Sequence, residues 1–262
     1  MKNIDYSNIL QEFKNTGVTN VFDVGLSEPL LKLQEKIYKM TKDIIIDHDS
    51  SLPISEKITL PFKSINIEKQ WSMIMIEINK SKELENLINS NIIKNIFSYI
   101  FNDPIKFDIC TFRARFPKQE RVVYNWHQDE GTWYLSKNKN LLNKFTATMW
   151  FSINGSDENN SIQLIKHSHK NKLFEHKFIK GQGYFSANIN GQDIDTKNII
   201  TITTKASQAI LFHPLTFHRS TPSKGDTDFR PRYSIDIRYL DNSKTLKYKT
   251  NLYFKLKKML KL

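Results

Sequence analysis

The sequence predicts a mainly β fold with added helices, in which a two-sheet jelly roll (a double-stranded β-helix) packs against helices from the N-terminal part. Three observations support this prediction. Apolar residues recur at helical spacing in the first hundred residues, they alternate with polar residues in short segments from about residue 107, and turn residues separate these segments. A helical block followed by many short strands favours two stacked sheets with helices on one side. A length of 262 residues fits one domain over residues 1–262.

The N-terminal part, residues 1–106, is predicted to be mostly helical. One helix should begin at Ser27-Glu-Pro29, where Ser27 can cap the helix and Pro29 can occupy its first turn. Another should run from Ser81 to Phe101, because Asn102-Asp-Pro104 stops a helix there. We therefore expect the N-terminal helices to cover one side of the sheets.

Residues 107–240 are predicted to form the jelly-roll core. In the last predicted strand, residues 232, 234, 236 and 238 share one face and residues 233, 235, 237 and 239 share the other. One of these faces must line the barrel. The clearest alternating segments are Phe145–Ile153, Ile199–Thr204, Ser207–His213 and Arg232–Tyr239.

Composition excludes several classes of protein. No apolar run approaches the ~18 residues of a membrane span, and the first residues lack the apolar region of a signal peptide, so we expect a cytoplasmic protein. Cys110 is the single cysteine, which excludes an internal disulfide and a thiolate cluster. Any metal must therefore use nitrogen and oxygen ligands.

The net charge of +12 is concentrated in a C-terminal tail, residues 241–262. Seven lysines and no acidic residue lie between Lys244 and Leu262. Leu252, Leu256 and Met259 recur at helical spacing beside them, which predicts a basic amphipathic helix. Such a helix could rest on the anionic inner face of a membrane or dock on the barrel. The other lysines are scattered among acids, so nucleic acid is not an expected partner.

The sequence His127-Gln-Asp129 suggests a metal site. Residues i and i+2 of a strand point to the same side, so both side chains can bind one ion. Two imidazoles and one carboxylate on one face of a metal are typical of non-haem Fe(II) oxygenases. His213 and His218 are both candidates for the third ligand. The tripeptide alone is common, so the surrounding motifs decide its meaning.

These motifs resemble the phytanoyl-CoA dioxygenase family of Fe(II)/2-oxoglutarate oxygenases, in the same order over residues 107–240. The resemblance implies a cupin-like barrel with Fe(II) bound by His127, Asp129 and His218. His218 is favoured over His213 because a serine follows two residues later and an arginine-bearing strand comes next. His167 stands where the family usually has glycine. The matching segments are His127-Gln-Asp129, Thr148–Ile153, Ile162–Lys170, Leu211–Ser220 and Arg232–Arg238.

The family also implies 2-oxoglutarate and O2 as co-substrates. An arginine suits the far carboxylate of 2-oxoglutarate because its planar guanidinium makes two parallel hydrogen bonds. The resemblance implies that Arg232 supplies this group with Ser220, and that Gln128 and Trp150 flank the co-substrate. Arg230 has the same strand parity and is the alternative. A polar row facing solvent is the other interpretation of this strand.

The implied reaction couples decarboxylation of 2-oxoglutarate, giving succinate and CO2, to hydroxylation of an unactivated C–H bond. Halogenating relatives lack the ligand carboxylate, so Asp129 favours hydroxylation. Residues near the motif predict a small-molecule or glycan substrate, anionic or lipid-linked, contacted by Glu130, Trp133, Tyr134 and Arg115. The alternatives are a non-catalytic jelly-roll binding protein and a basic nucleic-acid-binding module.

Overall fold

The computed structural model describes residues 4–46, 51–63, 68–106, 110–115, 124–135, 144–179, 184–189, 195–222 and 230–245. Its N-terminal part is helical, as predicted, with one short strand, β1 (Phe22–Asp23). A further helix, α7 (Asp129–Leu135), follows much later in the chain. The N-terminal helices are α1 (Tyr6–Thr16), α2 (Ser27–Thr41), α3 (Ile54–Lys57), α4 (Glu68–Asn79), α5 (Lys82–Ile88) and α6 (Asn91–Ile100).

Two details of the predicted helices differ from the structure. Ser27 is the first residue of α2 and its side chain makes no capping bond, because Leu26 occupies the N-cap. The helix predicted from Ser81 to Phe101 is divided into α5 and α6. Asn89 ends α5, and Ser90 adopts an extended N-cap conformation before α6. Asparagine and serine favour helix ends over helix interiors, which explains the break.

The β part contains two antiparallel sheets and a hairpin, which confirms the predicted jelly roll. The large sheet has the order β1-β9-β4-β11-β2, with β3 also paired to β11, and the small sheet has the order β10-β5-β8. Strands β6 and β7 form the hairpin. The strands after β1 are β2 (Pro104–Lys106), β3 (Thr111–Arg115), β4 (Lys144–Ser152), β5 (Ile162–Ile165), β6 (His176–Ile179), β7 (Tyr184–Ala187), β8 (Ile199–Thr201), β9 (Gln208–Phe212), β10 (His218–Ser220) and β11 (Arg232–Thr245).

The two faces of the large sheet contact different surroundings. One face packs against the helices, where Phe151 and Ile235 join Leu33 and Phe97 in the main core. The opposite face looks into the barrel. There, Trp150 packs with apolar residues of both sheets: Val18, Ile162, Leu164, Ile202, Ile210 and Phe212. The polar row of β11 lies on this barrel side, beside Trp150 and Thr148 of β4.

The predicted C-terminal tail begins later than expected. β11 continues through Thr245 and pairs Asp241 with Phe145 and Pro104 of neighbouring strands, so residues 241–245 belong to the sheet. Residues 246–262 lie outside the described residues, and the predicted amphipathic helix stays a prediction. No helix in the described part of the chain combines the length and apolar content needed to cross a bilayer.

Candidate metal and co-substrate site

The structure brings together the side chains of His127, Asp129 and His218. One ligand atom from each residue lies within 4.8 Å of the other two. His127 pairs with His218 through two backbone hydrogen bonds of 3.0 Å, and their ring centroids are 4.0 Å apart. Asp129 is the first residue of α7. The expectation of one strand carrying both His127 and Asp129 is therefore wrong, since an isolated bridge and a helix start bring them together.

Both imidazoles are oriented by the backbone. Nδ1 of His127 lies 2.8 Å from the carbonyl oxygen of Asn125, and Nδ1 of His218 lies 3.0 Å from that of Thr216. A carbonyl can only accept, so each Nδ1 carries the proton and each Nε2 keeps its lone pair for a metal. Nε2 of His218 is 3.7 Å from Oδ1 of Asp129.

The two carboxylate oxygens of Asp129 have different neighbours. Oδ2 is held by other side chains, and Oδ1 is directed to His218. The Thr148 hydroxyl donates to Oδ2 at 2.7 Å, and Nε of Arg238 lies 3.5 Å from the same atom. Burial opposes ionisation of Asp129, but Arg238, the two histidines and Thr148 outweigh it and hold the pKa of this carboxyl well below its ordinary value. Burial, and then the charge of His218, lower the pKa of His127. These residues therefore offer a carboxylate and a neutral imidazole at neutral pH.

This donor set fits a divalent iron ion. It supplies two imidazole nitrogens and one carboxylate oxygen, the combination that leaves coordination positions open in Fe(II) oxygenases. Metal ligands must be deprotonated, and the lowered pKa values of His127 and Asp129 meet that requirement. Cys110 lines a separate cavity beside α5 and supplies no ligand here.

The β11 residues predicted to bind 2-oxoglutarate face the barrel. Arg232 is 5% exposed, its Nε donates to the backbone oxygen of Asn160 at 3.0 Å, and its Nη1 donates to the Ser234 hydroxyl. The guanidinium carbon lies 5.4 Å from the ring centre of Trp150. Burial lowers the pKa of Arg232 to about 9. None of the described carboxylates forms an ion pair with this buried cation. Arg230, the alternative, is exposed.

Ser220 and Gln128 have different surroundings. Ser220 is buried on β10 two residues after His218, and its Oγ accepts a hydrogen bond from the backbone N–H of Tyr124. The side-chain amide of Gln128 donates to the backbone oxygen of Leu215 at 2.9 Å and accepts from the N–H of Phe174 at 2.9 Å. The side-chain amide of Gln128 is therefore engaged by the backbone, and its contact with the co-substrate stays a prediction.

The residues predicted to contact substrate are mostly enclosed. Arg115 is 1% exposed, and its guanidinium donates to the backbone oxygens of Ser161 and Thr221. Glu130 is fully buried. These two residues are therefore inside the protein and do not form an open binding surface. Trp133, on α7, packs against Leu240, and the side chain of Tyr134 lies outside the described residues.

His213 does not join the metal ligands. Its Nδ1 accepts a hydrogen bond from the N–H of Leu215, and its ring packs beside His169 and Phe13 at centroid distances of 5.2 and 6.0 Å. Burial lowers the pKa of His213 to about 3. The structure therefore assembles the site with His218, the histidine that the family pattern favours.

Several residues around the site had no role in the sequence-based prediction. They are Thr148 and Arg238, which hold Asp129, and Asp236, which contacts both Arg238 and Arg113. Alternation placed Asp236 and Arg238 on the face of Arg232. It did not reveal that Arg238 contacts Asp129 or that Asp236 contacts Arg113, because these partners lie on other elements.

Comparisons with known proteins agree with this geometry. Residues 17–231 match the family model described as phytanoyl-CoA dioxygenase. No curated protein matches the sequence. Among solved structures, EvdO2 from Micromonospora carbonacea var. aurantiaca complexed with 2-oxoglutarate is similar at 13% identity with a TM-score of 0.59, covering 94% of this chain and 95% of that one.

Two other structures share the fold. The epimerase SnoN in complex with Fe3+, alpha ketoglutarate and nogalamycin RO has 12% identity and a TM-score of 0.58, covering 95% of this chain and 88% of that one. EctD from S. alaskensis in its apoform has 14% identity and a TM-score of 0.58, with coverages of 91% and 78%. The family match spans most of the sequence and includes His127, Asp129 and His218. The chain therefore belongs to the phytanoyl-CoA dioxygenase family of iron- and 2-oxoglutarate-dependent oxygenases.

Proposed function

We propose that this protein is an Fe(II)- and 2-oxoglutarate-dependent dioxygenase that hydroxylates an unactivated C–H bond of a small-molecule or glycan substrate, with succinate and CO2 as co-products. The observation that carries the proposal is the grouping of His127, Asp129 and His218, with the Nε2 atoms and Oδ1 turned toward one another. When bound, iron supplies the activation of O2 that no side chain of the protein can provide.

The protein's own residues orient and enclose the reactants. Asn125 and Thr216 fix the two imidazoles through their carbonyl oxygens, and Thr148 holds the outer oxygen of Asp129. Asp129 also bears on the type of reaction, since it occupies the position that halogenating relatives leave without a carboxylate. Hydroxylation is therefore the proposed outcome.

Arg232 is the proposed partner of the far carboxylate of 2-oxoglutarate. A buried guanidinium is costly unless an anion compensates it, and the hydrogen-bond acceptors of Arg232 in this structure are neutral oxygens. Trp150 supports its flat face, and Ser220 supplies a buried hydroxyl on the strand of His218. The cationic interior favours a dicarboxylate co-substrate over a neutral one.

The substrate class rests on the surroundings of the metal helix and on one relative. Trp133 lies one helical turn after Asp129, and its ring packs against Leu240. SnoN forms a complex with Fe3+, alpha ketoglutarate and nogalamycin RO, so a protein of this fold accommodates a small organic molecule. We propose a small molecule or glycan whose ring or apolar part packs on Trp133. That the substrate is anionic or lipid-linked, and is met at a membrane surface bound by the basic tail, stays a prediction. Co-sedimentation of the protein with anionic vesicles tests the membrane contact.

The decisive experiment is an anaerobic titration of the Fe(II)-loaded protein with 2-oxoglutarate, followed by absorption in the visible. The wild-type protein should develop the weak charge-transfer band of a chelated 2-oxo acid, whereas His127→Ala and Asp129→Ala should not. His169→Asn is the matched control, because it removes a histidine outside the metal site. Absence of the band in folded wild-type protein, together with no calorimetric binding of Fe(II) or 2-oxoglutarate, would favour a non-catalytic jelly roll.

A further inference from the structure

A row of alternating charges runs from the metal-binding carboxylate across the barrel face of the large sheet. Nε of Arg238 lies 3.5 Å from Oδ2 of Asp129, and Nη2 of Arg238 lies 3.3 Å from Oδ2 of Asp236. Nε of Arg113 approaches the same oxygen of Asp236 at 3.2 Å. Asp236 therefore binds two arginines, one of which also contacts a metal ligand.

The strand register explains this arrangement. Arg238 lies directly opposite Thr148 across the β11–β4 pair, so both side chains reach Oδ2 of Asp129. Asp236 precedes Arg238 by two residues on the same face, and Arg113 on β3 is opposite Ser234. The side chains of Asp236, Arg238 and Asp129 are 14%, 8% and 5% exposed. Their charges are therefore little screened by solvent.

The row ends next to another metal ligand. Nη1 of Arg113 donates to the Tyr124 hydroxyl at 2.8 Å, and its guanidinium lies over the Tyr124 ring at 5.2 Å. That ring is 6.0 Å from the ring of His127. The contacts therefore connect two residues of the metal site. They run from Asp129 through Arg238, Asp236, Arg113 and Tyr124 to His127.

The arginine beside Asp129 has two opposite effects on a metal site. Its charge lies beside Oδ2, which the Thr148 hydroxyl holds by a hydrogen bond, so that Oδ1 is the oxygen available to the metal. It would also compete with the metal if its whole guanidinium turned to the carboxylate, because an arginine can bind both carboxylate oxygens at once. Another group must therefore keep the Arg238 guanidinium from binding both oxygens of Asp129. In this structure Asp236 is the acid that contacts its other nitrogen.

We propose that Asp236 is a positioning residue for the metal-binding carboxylate. By binding Arg238 and Arg113 together, it keeps the Arg238 guanidinium on Oδ2 of Asp129 and leaves Oδ1 for the metal. The inference rests on the proposed function, since it concerns the same metal site. It predicts that loss of the Asp236 charge changes both the affinity and the geometry of metal binding.

The test uses Co(II) as a spectroscopic probe of the full-length protein. Asp236→Asn keeps the size of the side chain and removes its charge. We expect Co(II) to bind about 10- to 100-fold more weakly, the usual effect of losing an outer partner of a metal ligand, and the d–d spectrum at saturation to change. Asp241→Asn is the matched control, because it neutralises another buried carboxylate of the same strand that contacts Asn102 and Ser243. It should retain wild-type affinity and spectrum.

A double variant separates positioning from damage to the fold. Asp236→Asn/Arg238→Gln also removes the competing guanidinium, so it should recover most of the lost affinity and the wild-type spectrum. A second substitution in a merely damaged site would lower the affinity further. Failure of wild-type protein to bind Co(II) would count against the proposed function, whereas wild-type binding with an unaffected Asp236→Asn would overturn only this inference. Weaker binding with an unchanged saturated spectrum would indicate a long-range charge effect and would also overturn it.

Arg113→Gln decides the matter if Asp236→Asn does not fold. The Arg113 side chain is 36% exposed, so its replacement is easier to tolerate. Without it, Asp236 should bind Arg238 more closely and draw it from Asp129, and Co(II) should bind more tightly. Arg232→Gln measures the effect of simply losing one interior positive charge. Equal shifts in the two variants would overturn the positioning role.

Discussion

The two faces of β11 have opposite chemistry although they share one backbone. Tyr233, Ile235 and Ile237 on the helix side are completely buried among apolar residues of the main core. Arg232, Asp236 and Arg238 on the barrel side are almost as buried, yet they contact polar and charged groups. The helix side of β11 therefore stabilises the domain. The barrel side keeps charged groups out of water, and a bound ligand of opposite charge can compensate those charges. Burial alone therefore does not separate core residues from site residues in β11.

The largest expected effect comes from the helix side. Ile235→Ala should lower the free energy of unfolding by about 2–5 kcal/mol, because it removes buried methylenes and leaves a cavity between Phe112 and Phe151. Urea denaturation measures the loss. The folded fraction should bind Co(II) as the wild-type protein does, since Ile235 faces away from the site. A large loss of metal affinity in the folded variant would show that the two faces are not independent.

The next effect belongs to the barrel side. Arg232→Gln should weaken 2-oxoglutarate binding about 10- to 100-fold, because hydrogen bonds between charged partners contribute about 1.5–3 kcal/mol. Isothermal titration of the Fe(II)-loaded protein under anaerobic conditions measures this change. Arg230→Gln is the matched control on an exposed side chain two residues earlier. The opposite ranking of the two variants would assign the co-substrate contact to Arg230.

The buried histidine His213 makes the stability of the protein depend on pH. Burial lowers the pKa of His213 to about 3, whereas an unfolded histidine titrates near 6.5. Below pH 6.5 the unfolded chain binds a proton at this residue and the folded chain does not, so acidification favours unfolding. The contribution is about 1.4 kcal/mol per pH unit between these pKa values.

The variant His213→Gln tests this sign. Its stability should fall by about 2 kcal/mol less than that of the wild-type protein between pH 6.5 and pH 5, because its side chain cannot take up a proton. Urea denaturation at each pH provides the measurement. His167→Gln, which changes an exposed histidine, should follow the wild-type curve. Parallel curves for His213→Gln and the wild-type protein would contradict the prediction.

The sequence predicted what depends on local pattern and motif order. Alternation located β4, β9 and β11, and the family motifs selected the three side chains that meet at the metal site. It did not predict the break at Ser90, because the apolar spacing of residues 84–96 concealed the helix ends that Asn89 and Ser90 favour. It also missed the helical start at Asp129, where the N–H of Glu130 donates to the backbone oxygen of Pro214 from a distant segment. Arg113 and Arg115 share a strand face, so alternation could not separate the partly exposed arginine from the enclosed one. That difference comes from Ser161 and Thr221, which reach Arg115 from other segments.

One departure from the family pattern has a structural explanation. His167 occupies the position where the family usually has glycine, and its φ of 68° lies in the left-handed region that glycine adopts without strain. Its N–H donates to the backbone oxygen of Thr16, and its Nδ1 lies 3.1 Å from that of Asn15. The sequence showed the substitution but could not show that contacts with the end of α1 accompany it.

The smallest expected effect has the opposite sign and lies on the helix side of β11. The Tyr239 hydroxyl is buried and makes no hydrogen bond within the described residues, and burial raises its pKa to about 12. Its ring stacks on Phe97 at 4.1 Å, and phenylalanine preserves that contact. Tyr239→Phe should therefore raise the free energy of unfolding by about 1 kcal/mol, since it removes the cost of a buried polar group without a partner. Thermal unfolding measures the gain, and Tyr239→Leu, which loses the stacking, should be destabilised. A lower melting temperature for Tyr239→Phe would mean that the hydroxyl stabilises this core, so that even its apolar face depends on a polar contact.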